Sequence, residues 1–275
     1  MKMHIKKLLL IALAVNPLYC GAMSIQFHAG IAPIIWKDKG EVDLLSCNVS
    51  ALNPVLQLNS RLPKFNALFH APWIVGGILG YALSENIELY LEANYLQANG
   101  KTGANGFAFA IPNLVPAQSL NLTITKYRLF DAYLGVRYYW DRWCDRLAPF
   151  LGIKVGVVSH KNTRGSFSLN GVPLTLLPAA GINCDGATAA VANNNFFRHA
   201  TSFGGGINAG LDYCLCGNIL LVFTAEFVAS CGPKTYTTSM FSVPTAPPLL
   251  ATNLVIGSIG TEFRFPITAG IKYIF

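Results

Sequence analysis

Side chains able to carry out chemistry are few in this chain and poorly assembled. Beyond residue 22 the histidines are His28, His70, His160 and His199. Nucleophilic catalysis wants Ser, His and a carboxylate on one surface. Ser159 and His160 are adjacent, so on an extended strand their side chains point to opposite faces. His199 shares a face with Thr201, but Thr is a poor substitute for Ser, and no G-x-S-x-G elbow occurs. Gly204-Gly205-Gly206 with Gly210 resembles a phosphate loop only superficially, because no Lys closes it and no helix pattern follows. Glycines that let a tight strand wall curve, or let a neighbour approach, account for the run better. Cys214-x-Cys216 is not metal spacing, and no second ligand pair lies nearby. The expectation is a protein with no catalytic, cofactor or metal site, and not an enzyme. His28 is expected to be a hydrogen-bonded structural residue.

The ionisable residues that do show order are spaced by two. Glu88, Tyr90, Glu92 and Asn94 alternate with Leu89, Leu91, Ala93 and Tyr95. Asp131, Tyr133, Gly135, Arg137 and Tyr139 alternate with Phe130, Ala132, Leu134, Val136 and Tyr138. Glu262, Arg264, Thr268, Gly270 and Lys272 alternate with Phe263, Phe265, Ile267, Ala269, Ile271, Tyr273 and Phe275. Ser202, Gly204, Gly206, Asn208 and Asp212 alternate in the same way with Phe203, Ile207, Ala209 and Leu211. Period two is the signature of a strand with unlike faces. A face of charges and glycines opposite an apolar face suits a narrow polar lumen with lipid outside. Glu88, Glu92, Asp131, Asp212, Glu226 and Glu262 are therefore expected to point inward with Arg137, Lys154, Arg264 and Lys272. Unpaired buried charge is costly, so these acids and bases should pair as a plug.

The elements that would hold this network are eight strands, at about 24–36, 71–83, 86–97, 127–140, 147–160, 200–214, 218–230 and 260–275. Strands 1, 2, 5 and 7 alternate less cleanly than the rest. Connections alternate between tight (Ser84-Glu85-Asn86, Asp141–Arg146, Cys216-Gly217-Asn218) and long (37–70, 98–126, 161–199 and 232–258). That asymmetry belongs to transmembrane barrels with turns in the periplasm and loops outside. Trp36 and Trp73 at the outer end, and Tyr138, Tyr139, Trp140, Trp143, Tyr213 and Phe275 at the turn end, read as two interfacial girdles.

Composition agrees. Hydrophobic residues make up 52% of the 275 and charged residues 12%, too apolar for an ordinary soluble surface, which carries about 25% charge. Past the N-terminus there is no run of 18 apolar residues, as a spanning helix would need. In lipid only helices and closed barrels satisfy their backbone groups. Residues 1–22 read as a signal peptide: Lys2, Lys6 and Lys7, then the apolar stretch LLLIALAV, then Cys20-Gly21-Ala22 with cleavage after Ala22. The mature domain is then 23–275. Removing three lysines leaves seventeen basic and thirteen acidic residues, a net of +4. No Lys/Arg cluster exists, so nucleic acid is excluded as a partner. Export permits disulfides. Cys47 and Cys184, both in outer loops, can pair, as can Cys144 with Cys214 or Cys216 at the turn end; spacing alone leaves connectivity open. The four long connections hold ten basic and four acidic residues, a net of +6, which favours anionic partners. Within them, Phe107–Val115 and Val172–Ala180 are apolar segments that can fold onto the barrel mouth or contact a partner.

The C-terminus, TAGIKYIF, is the most specific stretch. Thr268, Gly270, Tyr273 and Phe275 fit a polar-x-Gly-x-x-apolar-x-aromatic pattern. It resembles the terminal signal by which the barrel-assembly machinery recognises outer-membrane proteins. With PWIVGGILGYALSENIELYLEANYLQ and APFLGIKVGVV, the chain resembles the eight-stranded outer-membrane β-barrel superfamily that includes the OmpA membrane domain, OmpX, and opacity-type adhesin and surface-antigen barrels. The resemblance covers strands and turns but not loops, and no trailing peptidoglycan-binding domain is present in this sequence. It implies an all-β, transmembrane, antiparallel up-and-down barrel in the cell outer membrane, with both termini periplasmic. Its partners would be outer-membrane lipid and lipopolysaccharide, the assembly machinery, and a host-surface ligand. The expected role is surface antigen, adhesin or envelope structure. A small solute pore is the alternative, and a lipid-modifying outer-membrane enzyme the least favoured reading.

Overall fold

A computed structural model describes residues 21–37, 41–47, 58–61, 64–101, 104–111, 115–140, 146–169, 172–173, 195–197, 199–233, 239–242, 251–256 and 259–275. Side chains are placed over 21–37, 64–101, 124–140, 146–164, 197, 199–233 and 259–275. Of the signal-peptide reading, 1–22, all but Gly21 and Ala22 lies outside the described residues.

Eight strands form the wall, and we number them in chain order. β1 is Met23–Ile31, continued by Ile34–Trp36. β2 is Trp73–Ala82, β3 Ile87–Asn99, β4 Lys126–Tyr139 and β5 Leu147–His160. β6 is Ala200–Cys216 and β7 Ile219–Cys231. β8 is Ile267–Ile274, preceded by Thr261–Arg264. Every strand pairs antiparallel with its sequence neighbours, and β8 pairs with both β7 and β1, so the sheet closes. Closure removes the unpaired edges that an open sheet would expose to lipid.

The register fixes the barrel's width. From His160 the pairs run through Leu129, Leu96, Ile74, Gly30, Thr268, Thr224 and Gly210 back to Phe150, ten residues lower on the same strand. Eight strands with that stagger leave a lumen that side chains can fill, with no water-wide channel.

Alternation puts apolar residues outside. Phe27, Leu79, Leu91, Phe130, Leu134, Ile153, Val155, Phe203, Ile207, Phe223 and Ile271 are all more than half exposed or close to it. In water that wall would be an aggregation surface; in a bilayer it is the solvated face. Trp73 packs against Tyr95 at one end, and Tyr138 against Trp140 and Tyr273 against Phe275 edge to face at the other. Two girdle assignments are corrected. Trp36 is buried on the inward parity of β1, after Ala32 and Ile34. Tyr139 also turns inward and bonds to Glu88. Trp143 lies outside the described residues.

The described residues of the long connections include further strands. The first holds strands Glu41–Cys47 and Leu58–Arg61 and the short helix Phe65–Leu68. Glu41–Cys47 pairs with Ala251–Ile256 of the fourth connection, which also pairs with Ser239–Ser242. Val115–Ile124 of the second pairs with Ala104–Ile111 and with Thr163–Leu169 of the third. Alternation in these segments is too weak in sequence to reveal pairing between distant connections. The side chains of Phe107–Val115 and Val172–Ala180 lie outside the described residues.

A closed sheet with all backbone groups paired should be kinetically robust. Detergent-solubilised protein is expected to migrate differently on a gel before and after boiling, with circular dichroism of β type. A helical spectrum, or identical migration, would refute the barrel.

Candidate functional site: a plugged lumen and a sorted outer wall

All ten charged side chains expected in the lumen point into it, and they meet in three groups. Towards the outer end, Arg264 bridges Asp131 and Glu262. Its Nη2 also donates to the Tyr133 hydroxyl at 2.6 Å. Glu262 accepts from the Tyr127 hydroxyl and from Trp36 Nε1, and His160 Nε2 lies 3.7 Å from its other oxygen. In the middle, Lys154 lies between Glu92, at 2.9 Å, and Glu226, at 2.6 Å. Glu92 also accepts from Asn94, whose own oxygen meets His28 Nε2 at 2.8 Å. Towards the turn end, Lys272 reaches Glu88 at 2.8 Å and Asp212 at 3.3 Å. Arg137 lies 3.7 Å from Glu88, between the rings of Tyr90 and Phe150.

Each acid thus touches a base, and each lysine touches two acids. Buried pairs of this kind rarely add stability over an apolar core, but they demand their partners. The apparent excess of acids is relieved by hydroxyl and ring donors: Ser24 and Tyr139 to Glu88, Tyr127 and Trp36 to Glu262. The sequence reading places Trp36 and Tyr139 in the girdles and does not single out Ser24 or Tyr127 as a donor. Tyr127 and Tyr139 carry the inward parity of β4, and Trp36 that of β1, which is the signal that would have found them.

Glycine makes the room. A Cβ at Gly80 would fall 2.2 Å from a Glu88 oxygen, and one at Gly152 2.3 Å from the Asn208 side-chain oxygen. Inner positions therefore read as small residues in β2 and β5, which is why those strands alternate poorly in sequence. Above the charges the mouth is closed by an aromatic cluster. Trp36 packs against Phe65, Phe69, Tyr127 and Phe197 with ring centroids 5.1–6.5 Å apart.

One pairing escaped the sequence reading. Ser159 Oγ and His199 Nε2 lie 3.1 Å apart on the outer wall. Register alone brings them together, since Ser159 is level with Thr201. No carboxylate with a placed side chain stands on that wall. All lie in the lumen except Glu85, in the tight turn at the other end. Among the described residues the pair has no carboxylate beside it.

Of the residues in the C-terminal pattern, Thr268 is buried and faces the lumen, Gly270 abuts His28, Tyr273 faces outward on β8, and Phe275, just past it, is exposed. The Phe275 N–H donates to the Met23 carbonyl at 2.9 Å, so the two ends of the barrel chain meet. Cys214, Cys216 and Cys231 form no disulfide among the described residues. Cys144, Cys184 and the side chain of Cys47 lie outside them.

No family profile and no curated protein matches the chain. Solved structures similar to it include the outer membrane protein OprG from Pseudomonas aeruginosa, at 14% identity and TM-score 0.41, covering 93% of this chain and 97% of that one. Neisserial surface protein A gives 11% and 0.38, covering 92% and 97%. Ail of Yersinia pestis, in complex with the heparin analogue sucrose octasulfate, gives 8% and 0.36, covering 93% and 99%. The assignment rests on the closed strand order and the sorting of side chains: the chain has the fold of the eight-stranded outer-membrane β-barrels.

Proposed function

We propose that the protein is an integral outer-membrane barrel, with both termini periplasmic, whose function lies in surface contact by its outer connections and not in transport or catalysis. The observation that carries this reading is the filled lumen. Ten charged side chains, all buried or nearly so, cross-link its interior beneath an aromatic cap. A wall that neither conducts nor catalyses still presents four long connections, and surface segments on a rigid scaffold are where recognition is usually placed. Their net charge of +6 suits anionic partners such as acidic host glycans through long-range attraction. On this reading the protein acts as an adhesin or displayed antigen.

The test is deletion of 103–120 together with 165–195. These ranges hold most of Ala104–Ile111, Val115–Ile124 and Thr163–Leu169, which pair with one another, so the double deletion removes that ladder and leaves only residues 121–124 and 163–164 as its remnant. Heat-modifiable folding should survive, while adhesion of whole cells to host cells or matrix should fall to background. Unchanged adhesion with intact folding would leave envelope structure as the role.

A further inference from the structure

The turn between β6 and β7 differs from the other described tight turn. Ser84-Glu85-Asn86 is polar, as a solvated turn should be, whereas β6 ends on Cys214-Leu215-Cys216 before Gly217 and Asn218. Cys216 is exposed, Cys214 is half-buried, and both thiols are free. Register compresses the stretch between them. Cys214 stands opposite Leu220 and Cys216 opposite Ile219, so two residues of β6 cover what β7 covers in one. That is a β-bulge, in which the strand bends around an extra residue, here Leu215. In a regular strand two residues span about 6.8 Å, the upper limit for Cα atoms joined by a disulfide, and the bulge shortens that span. The Cys214 thiol already leans towards the turn, with Sγ 3.8 Å from the Gly217 carbonyl oxygen, past Cys216 in sequence. Gly217 has a φ of +52° and nothing within 4 Å of where its Cβ would stand, so the turn is open.

Exposed free thiols are a liability on an exported chain, and the compartment beneath the outer membrane oxidises them. A disulfide between Cys214 and Cys216 would do little for the fold. It closes a loop of three residues, and the stabilisation from a cross-link grows with the loop it closes. It would also be forced from relaxed geometry, which makes a disulfide easier to reduce. Strained and exposed disulfides are the ones that exchange with other thiols. Cys231 stands at the far end of β7 and reaches neither sulfur.

We propose that Cys214 and Cys216 are a redox-active pair, forming a labile disulfide that takes electrons from a reduced dithiol of another exported protein. The inference rests on the reading that puts the tight turns in the periplasm, and it adds an activity at the end opposite the surface connections. A thiolate of the client attacks the exposed Cys216 Sγ. The Cys214–Cys216 bond breaks, and Cys214 leaves as a thiolate that takes up the proton the client lost. The client's second thiolate then attacks the client sulfur of the mixed disulfide and expels Cys216 Sγ, which is protonated in turn. The client gains a disulfide and loses two electrons, and the pair becomes two thiols. A disulfide-bearing oxidoreductase of the same compartment resets the pair by the reverse exchange. Cys214 is the fixed half, because its N–H donates to the Arg146 carbonyl at 2.9 Å. Cys216 ends the strand, so attack there displaces only the turn.

The test uses the full mature barrel refolded in detergent and first checked for its heat shift. It is incubated in buffers of reduced and oxidised glutathione, quenched with acid, alkylated and mapped by mass spectrometry. The Cys214–Cys216 disulfide should form, and should pass from oxidised to reduced as the glutathione ratio is varied. The oxidised barrel should convert a reduced two-cysteine peptide to its disulfide, one peptide per barrel. Cys216→Ser should abolish that conversion, and Cys231→Ser should leave it unchanged. Thiols that stay free in oxidised glutathione, a disulfide joining either cysteine to Cys144, or a Cys214–Cys216 disulfide that resists reduced glutathione would each overturn the inference. Orientation is read separately, on cells carrying Cys214→Ser. A large polyethylene-glycol maleimide should label Cys216 only after the outer membrane is permeabilised. Labelling of that residue on intact cells would instead sink the periplasmic placement of the turns.

Discussion

Lys154→Ala is expected to destabilise the barrel by about 3–5 kcal/mol, the cost of leaving buried charge without its partner. The lysine is buried, and its Nζ is the shared counter-ion of Glu92 and Glu226. Removing it leaves two carboxylates in one low-dielectric space, each without its cation. Proton uptake by one carboxylate or water entering beside them relieves the charge, and water entering the lumen is also what opens a conduction path. Two readouts should therefore move together. The temperature at which the folded gel band is lost should fall, and planar-bilayer conductance should rise from a wild-type baseline near zero. Adding Glu92→Gln and Glu226→Gln to Lys154→Met should recover most of the stability, because an uncharged trio no longer needs the cation. A wild-type barrel with large, steady conductance would show the plug to be leaky and restore the pore reading. Stability unchanged in Lys154→Ala would show that the lumen is already wet.

How far the barrel was legible in sequence depended on the strand. β3, β4 and β8 carry bulky polar residues on one parity and bulky apolar ones on the other, so period two names both faces and, from them, seven of the ten lumen charges; Lys154, Asp212 and Glu226 stand on β5, β6 and β7. β2 and β5 fill inner positions with Gly76, Gly80, Gly152 and Gly156, because large neighbours from adjacent strands need that space. A glycine does not announce a face, so their alternation is dim although their geometry is regular. Trp36 and Tyr139 were misplaced because residue type was allowed to outrank parity. An aromatic residue at a strand end suits the interface, yet the even positions of β1 run inward from Ser24 to Trp36 without a break. The Ser159–His199 contact is not readable in sequence, because it depends on which residue of β5 stands opposite which residue of β6, and register across a connection of nearly forty residues leaves no local trace.

Phe275 carries the other large effect, and its expected cost falls on assembly rather than on the folded state. The ring is 71% exposed and stands outside the wall, touching Tyr273 at a centroid distance of 4.9 Å. Its backbone N–H, which closes the seam against Met23, is kept by any residue but proline. Phe275→Asp should therefore leave the refolded barrel nearly as stable as wild type, with a change of about 1 kcal/mol or less for one exposed side chain at the interface. In cells the result should be very different. β8 is the strand that must pair with both β7 and β1 before the sheet closes. If the terminal aromatic is what the insertion machinery grips, most of the variant should accumulate unfolded in the periplasm and be degraded there. The decisive comparison sets refolding in detergent beside insertion in cells for Phe275→Asp and Phe275→Tyr. Tyr keeps the ring and should insert normally. Equal insertion of all three proteins would make the TAGIKYIF match accidental. A parallel loss of refolding and insertion in Phe275→Asp would make Phe275 a packing residue of the seam and not a signal.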